Sequence, residues 1–406
     1  MNRLEGKKNM LTEKIKKLSE DFYGEMVSLR HQIHENPEIG FEEFQTAQLI
    51  MDTLERYGIE YQSGIAKTGI LGTIKGKNPG KTILLRADMD ALVLQEETNL
   101  LYASKVPNKM HACGHDGHTA GLLGVAMILN SLKDFFEGTV KLMFQPAEET
   151  EGGALPMIEE GILENPKVDA AFGCHLWGNT PEGKVEICHG SMMAACDHFE
   201  LEIKGVGGHG AMPHLTIDPI TIASYTITML QSVVSRRIDP LESAVLTIGS
   251  IKGGEVNNVI PDSVKVTGTV RTLNEAIHEQ IPREIENVIK GICSTYGATY
   301  DFYYKREFPV LINDSSMTNL AGQAFSKIVG EENVRELEKP YMGGEDFAYL
   351  AQRVPSSFIY IGISKDMDHP ILQHSSKFQF DDKNLKTLSQ GLVQVAIDFL
   401  EESASN

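Results

Sequence analysis

Val140-Lys141-Leu142-Met143-Phe144-Gln145-Pro146-Ala147-Glu148-Glu149 begins as a short apolar run and ends in two adjacent acids. A run of that length, closed by a proline, reads as a buried strand. Adjacent glutamates are commonplace on surface helices, but here they follow a buried strand directly. Two further stretches repeat the arrangement. Ile83-Leu84-Leu85 leads into Asp88 and Asp90, and Ala170-Ala171-Phe172-Gly173-Cys174 leads into His175. Helical stretches alternate with them. One, over about 115–132, is apolar all round and so expected to be buried; another covers about 152–162. Such alternation predicts an α/β layer with a mainly parallel sheet flanked by helices. Ligands in these sheets sit outside the carboxyl ends of the strands, where this chain carries carboxylates and an imidazole.

Upstream, Ile15, Leu18, Phe22, Met26, Leu29 and Ile33 recur every three or four residues, which predicts one amphipathic helix stopped by Pro37. A second helix is expected from about Glu43 to Arg56. Downstream the pattern changes. Phe199, Leu201 and Ile203 alternate with polar residues as a half-exposed strand should. A helix (about Pro219 to Arg237), a strand (Ala244 to Ile251) and a Gly-Gly loop follow. Then come an alternating strand (Val264, Val266, Gly268, Val270), a helix striped by Ile277, Ile281, Ile285, Val288 and Ile292, and a strand with Tyr300, Phe302 and Tyr304. The order βαββαβ is that of a ferredoxin-like unit. The α/β pattern then resumes, with Phe358-Ile359-Tyr360-Ile361 as a buried strand and Leu385, Leu388, Leu392, Val395 and Phe399 striping a last helix. The expected organisation is a discontinuous catalytic α/β domain, 1–194 and 307–406, interrupted by an inserted domain over 195–306.

The chain has 406 residues, 41% apolar and 23% charged, ordinary values for a globular protein of two or three domains. The near-apolar run Ala120 to Leu129 is about half what a bilayer span needs. Arg3, Lys7, Lys8, Lys14, Lys16 and Lys17 precede no apolar block, so neither membrane span nor secretory signal is expected. A net charge of −19 repels phosphate backbones and argues against a nucleic-acid partner. The cysteine count of 5 is odd, which speaks for a reducing cytosol over a disulfide framework.

The densest chemistry is His111-Ala112-Cys113-Gly114-His115-Asp116-Gly117-His118, which opens the buried helix. Cysteine, histidine and aspartate are the side chains that hold transition metals. The bland alternative makes these helix-start residues, with Asp116 as a cap; three histidines, a cysteine and an aspartate in eight residues weigh against it. Successive residues of an extended segment point to opposite sides, so one acid of Glu148-Glu149 can bind a metal while the other faces the water. His175 and His374 are single histidines, more often structural than liganding. His209 and His214 sit on the glycine-rich stretch Gly205 to His214, either reaching a ligand or marking an ordinary turn.

Taken together, these motifs resemble the metal-dependent aminoacylase and carboxypeptidase superfamily. The branch most resembled is that of hippurate hydrolases, N-acyl-amino-acid amidohydrolases and plant auxin-conjugate hydrolases. The resemblance runs along nearly the whole chain. Its residues are Leu29-Arg30-His31…His34-Glu35-Asn36-Pro37-Glu38, Arg86-Ala87-Asp88-Met89-Asp90-Ala91-Leu92, the Cys-Gly-His-Asp-Gly-His run at 113–118, Gln145 to Glu149, Gly208-His209…Pro213-His214, Asn258 to Asp262, Gly343-Gly344-Glu345-Asp346-Phe347 and His374-Ser375. It implies that Cys113, His115, Glu149, His175 and His374 are metal ligands and that Glu148 is the general base. It implies that His209 is a lid histidine acting across a homodimer, and that Asn258 and Arg271 contact substrate. The carboxypeptidase branch instead has a histidine two residues before the aspartate after the first strand, and a bridging aspartate in the next motif. Those positions resemble Asp88 and His115 here, with Cys113 supplying the missing ligand.

The function expected is a cytoplasmic metal-dependent amidohydrolase for N-acyl amino acids. One or two divalent ions are expected, zinc or manganese, with cobalt or nickel also suited to the donors. A dipeptidase or carboxypeptidase and an N-acetyl-diaminopimelate deacetylase share these features. Two other readings are a thiol hydrolase with Cys113 as nucleophile and a metal-binding protein without catalysis.

Overall fold

The computed structural model describes residues 2–401, with side chains over 10–401; Arg3, Lys7 and Lys8, weighed above, lie outside the described side chains. Two compact units divide the chain. One comprises the chain up to Gly190, Ile312–Glu338 and the chain from Tyr349; the other comprises Ser191–Leu311 and Lys339–Ala348. No periodicity in the sequence marks the 339–348 segment.

In the first unit, β1 (Glu60–Ile65), β2 (Gly69–Lys75), β3 (Thr82–Asp88), β4 (Thr139–Gln145), β5 (Ala170–Pro181), β6 (Val185–Ile187), β7 (Val334–Glu336) and β8 (Ser356–Ser364) form an eight-stranded sheet ordered β1-β2-β4-β3-β5-β8-β6-β7. Its centre, β4-β3-β5-β8, is parallel, as strand–helix alternation predicts. The β1-β2-β4 side and the β6–β8 pair are antiparallel. Asp88 stands opposite Gln145, Leu85 opposite Phe172 and Tyr360 opposite His175. This register lines up the C-terminal ends of β3, β4 and β5, so the acids and the imidazole behind them emerge together.

The helices of this unit include α1 (Asn2–Glu35), α2 (Phe44–Arg56), α3 (His115–Ser131), α4 (Ser315–Val329) and α5 (Asn384–Glu401). α3 is buried at every position from His115 to Leu129, as its all-round apolar sequence requires. Two glycines make that possible. A Cβ on Gly121 would lie 2.5 Å from Leu388, and one on Gly124 would lie 2.2 Å from the sulfur of Met26. Side chains from α5 and α1 therefore rest on bare α3 backbone. The helix expected over about 152–162 is confined to Ala154–Glu159, with Gly152 and Gly153 before it and Pro156 within it.

The second unit is a four-stranded antiparallel sheet ordered Ala244–Lys252, Ser263–Thr272, Ala195–Lys204, Thr299–Phe308, with helices Pro219–Arg237 and Glu275–Tyr296. This is the ferredoxin-like order that βαββαβ produces. Its core gathers Phe199, Leu201, Ile203, Ile281, Ile285 and Ile289. Both helices start on a side-chain cap: Asp218 accepts from the Ile220 N–H at 2.9 Å, and Asn274 accepts from the Ala276 N–H at 2.8 Å. A two-residue ladder pairs Gly208 and His209 with Ile260 and Val259. Among the described residues, no helix is long and apolar enough to cross a membrane.

Candidate metal centre

The start of α3 is turned by Gly114, whose φ of 96° no L side chain adopts comfortably. Cys113 and His115 flank that turn. Asp116 is not the cap that its position suggests. Its carboxylate is fully buried, 2.9 Å from both Arg30 Nε and His34 Nδ1. Burial alone would raise its pKa, but Arg30 and His34 outweigh burial and hold the carboxyl far below the usual range.

The candidate donor atoms of Cys113, His115 and His175 lie within 4.8 Å of one another, as do those of Cys113, Glu149 and His374 and those of His115, Glu148 and Glu149. Shared members join these groups into one cluster. It contains every ligand expected from the sequence together with Glu148. Cys113 Sγ is 3.3 Å from His175 Nε2, His374 Nε2 is 3.1 Å from Glu149 Oε1, and His115 Nε2 is 3.9 Å from the same oxygen.

Neighbouring groups aim these donors. His175 Nδ1 lies 2.9 Å from the Leu176 carbonyl, which fixes the proton there and leaves Nε2 as a lone-pair donor. His115 Nδ1 lies 3.2 Å from Asp90, and its buried Nε2 has no hydrogen-bond partner. The other Asp90 oxygen accepts from the Glu149 N–H at 2.9 Å, so one carboxylate orients two ligands. His374 enters with a left-handed φ of 61° while its N–H donates to the Ala112 carbonyl at 2.8 Å. Backbone in that region marks a residue held by its surroundings.

His118 and Asp88 stand beside the cluster but are engaged elsewhere. His118 Nδ1 is 2.6 Å from Asp88, and its Nε2 accepts from the Leu176 N–H at 2.9 Å. Arg86 adds a charged bond to Asp88 at 2.6 Å. Asp88, at the position that resembles a histidine of the carboxypeptidase branch, is thus paired in charge with Arg86 and accepts a hydrogen bond from a neutral His118.

The electrostatics call for a cation. Burial, then Glu149, Glu148 and Asp88, push the Cys113 thiol well above its ordinary pKa. Burial opposes charge on His115, but Asp88, Asp90 and Glu149 outweigh it and lift its pKa to about 10. Burial, with His118, pushes His175 well below the usual histidine range. The proton on His115 therefore offsets buried carboxylates while the sulfur stays a neutral thiol, and a divalent cation would displace both protons and supply the positive charge itself. A donor set of thiolate, imidazoles and carboxylate fits such an ion.

His209, Asn258 and Arg271 belong to the second unit. His209 and Asn258 adjoin at the short ladder, where the Asn258 carbonyl accepts from the Gly210 N–H at 2.9 Å. His209 Nδ1 accepts from the Ala211 N–H at 3.0 Å, which puts its proton on Nε2. Arg271 stands on the sheet, one guanidinium nitrogen bonded to Thr269 and to the carbonyls of Val270 and Asp197. The sequence assigns no individual role to Arg86, Asp90 or His118; their signals are a place near a strand end or in the histidine-rich run, and membership of the motifs that carry the resemblance.

The sequence model of Peptidase family M20/M25/M40 matches residues 84–398. A hippurate hydrolase of Campylobacter jejuni is 40% identical over 384 residues, 94% of this chain and 98% of that protein. An N-acetylcysteine deacetylase of Bacillus subtilis is 39% identical over 383 residues, again 94% of this chain and 98% of that protein. Among solved structures, a dinuclear metal-binding peptidase of the M20 family from Bacillus subtilis aligns with a TM-score of 0.81 at 35% identity, covering 94% of this chain and 99% of that one.

Proposed function

The chain belongs to Peptidase family M20/M25/M40, and from that premise we propose that it is a metal-dependent amidohydrolase that cleaves N-acyl amino acids to a carboxylate and a free amino acid. The observation that carries this reading is the single cluster of Cys113, His115, Glu149, His175 and His374 with Glu148 inside it. Those five residues would hold the metal. Likeness to a dinuclear relative supports two ions, and the donor set suits zinc or manganese, with cobalt or nickel tolerated. A divalent ion bound there supplies Lewis acidity, lowering the pKa of water toward ~7 and polarising the amide carbonyl.

Glu148 takes the proton of the attacking water on its carboxylate and returns it to the departing amine nitrogen. His209, with its proton on Nε2, is suited to donate to the oxyanion that develops on the scissile carbonyl. Asn258 adds a polar contact to the substrate. Arg271, with one nitrogen anchored to its own sheet, presents the rest of its fork to the substrate carboxylate. We take 195–306 as a lid that also pairs two subunits, so that each site receives His209 of the partner subunit. All 5 cysteines are free thiols, which fits a reducing cytoplasm.

Two experiments test this. Elemental analysis of the purified protein, run beside an amine-release screen over N-acetyl and N-benzoyl amino acids and dipeptides, should find bound divalent metal and turnover of the acyl amino acids. Turnover of dipeptides alone would replace the reading with a dipeptidase, and no turnover with Zn²⁺, Mn²⁺ or Co²⁺ would end it. Separately, inactive His209→Ala and Glu148→Gln proteins should regain activity when mixed and allowed to exchange subunits, since one mixed site then carries both residues. Failure of exchanged mixtures to recover would dismiss action across the dimer.

A further inference from the structure

Glu43 immediately precedes α2, and an acid there would ordinarily turn back to accept from the first N–H groups of the helix. It makes no such bond. Glu38 does so instead, its carboxylate accepting from the Gln45 N–H at 3.0 Å and the Thr46 N–H at 2.9 Å. The fully buried Glu43 carboxylate reaches across the unit. One oxygen accepts from the Thr68 hydroxyl at 2.6 Å, and the other accepts from the Ala147 N–H at 2.9 Å. Ala147 stands directly before Glu148 and Glu149 with a φ of 54°. A residue with a side chain holds that left-handed conformation only where its surroundings impose it. Gly40 supports the same turn from another side, since a Cβ there would lie 2.2 Å from Thr150 Oγ1 and 2.8 Å from Ala147 Cβ. Burial lifts the Glu43 carboxyl to about 6, so it is largely ionised at neutral pH and free to accept both bonds.

We propose that Glu43 is a positioning residue for Glu148: by clamping the Ala147 N–H it fixes the left-handed turn, and so sets the direction in which the Glu148 side chain leaves the backbone. The proposal rests on the reading of Glu148 as the base. The carboxylate bonds of Glu43 go to Thr68 and Ala147, neither of which is among the proposed metal ligands. Its part is geometric, and geometry can be separated from charge.

Glu43→Asp keeps the charge but shortens the reach by one methylene. Glu43→Gln loses the charge but keeps the length; its carbonyl can accept from Ala147 and its amide can donate to Thr68. Both are conservative enough to fold. With N-acetyl and N-benzoyl amino acids as probes, Glu43→Asp should lower kcat about tenfold or more, because ångström-scale misplacement of a reacting group costs on the order of 10²-fold. Its KM should stay within about threefold of the wild type and its metal content should be unchanged. Glu43→Gln should stay within about threefold of the wild-type kcat. A wild-type rate in Glu43→Asp, a slower Glu43→Gln than Glu43→Asp, or metal loss in step with the rate would overturn the proposal. Controls separate its failure from that of its premise. An inert wild type overturns both, and an active Glu148→Gln overturns the base. An active wild type, an inert Glu148→Gln and an unaffected Glu43→Asp overturn the role of Glu43 alone.

Discussion

Glu148→Gln should purify with its full metal complement and lose about 10²–10⁴-fold in kcat. Glutamine has the same shape, so packing around this buried side chain need not change. What it lacks is a basic oxygen. Five other residues supply the proposed metal donors, among them Glu149, which pairs with His374 at 3.1 Å. Metal binding should therefore survive while proton transfer fails. The loss should fall on kcat with KM little changed, because an interaction made only in the transition state has been removed. Steady-state kinetics alongside metal analysis of the same preparation measures both. A kcat within tenfold of the wild type would reassign the base, and a metal content falling with activity would make Glu148 a ligand instead.

Much of the architecture could be read from local periodicity, because burial imposes it residue by residue. The α3 segment is apolar on every side and is buried on every side. The alternation of Phe199, Leu201 and Ile203 marks a strand with one face on a core. Elements too short for a period escaped: β6 and β7 have three residues each and read as nothing in particular. In the site, ligand types were legible because few side chains bind metal and several crowd into 111–118. Their supporting partners were not. Nothing in the spacing ties Glu43 to Ala147, 104 positions apart, or shows that Asp90 holds His115 and the Glu149 backbone together. Asp116 shows the limit from the other direction. A helix-start aspartate reads as a cap by local rules, yet tertiary contacts with Arg30 and His34 claim it.

Removing the metal should silence the protein, and Cys113→Ser should weaken metal binding by at least about a hundredfold, the upper end of what loss of a mere supporting contact costs. The sulfur is the one soft donor of the cluster and belongs to two of its three-residue groups, so its loss touches both. A serine hydroxyl stays protonated near neutrality and is a poor replacement. The same experiment separates the metal reading from a thiol nucleophile. The 3.3 Å approach of Cys113 to His175 has the look of a thiol–imidazole pair. The electrostatics run the other way: a nucleophilic thiol needs its pKa lowered, whereas burial and three nearby carboxylates push this one up. A bound cation would counter both effects and favour the thiolate. On this account a strong chelator abolishes turnover, added Zn²⁺ or Mn²⁺ restores it, and Cys113→Ser regains part of its activity at high metal concentration. A thiol enzyme would ignore the chelator, and its Cys113→Ser variant would stay inactive however much metal was supplied. Titration of the metal-free proteins by calorimetry, set beside rates at each metal concentration, decides between the two.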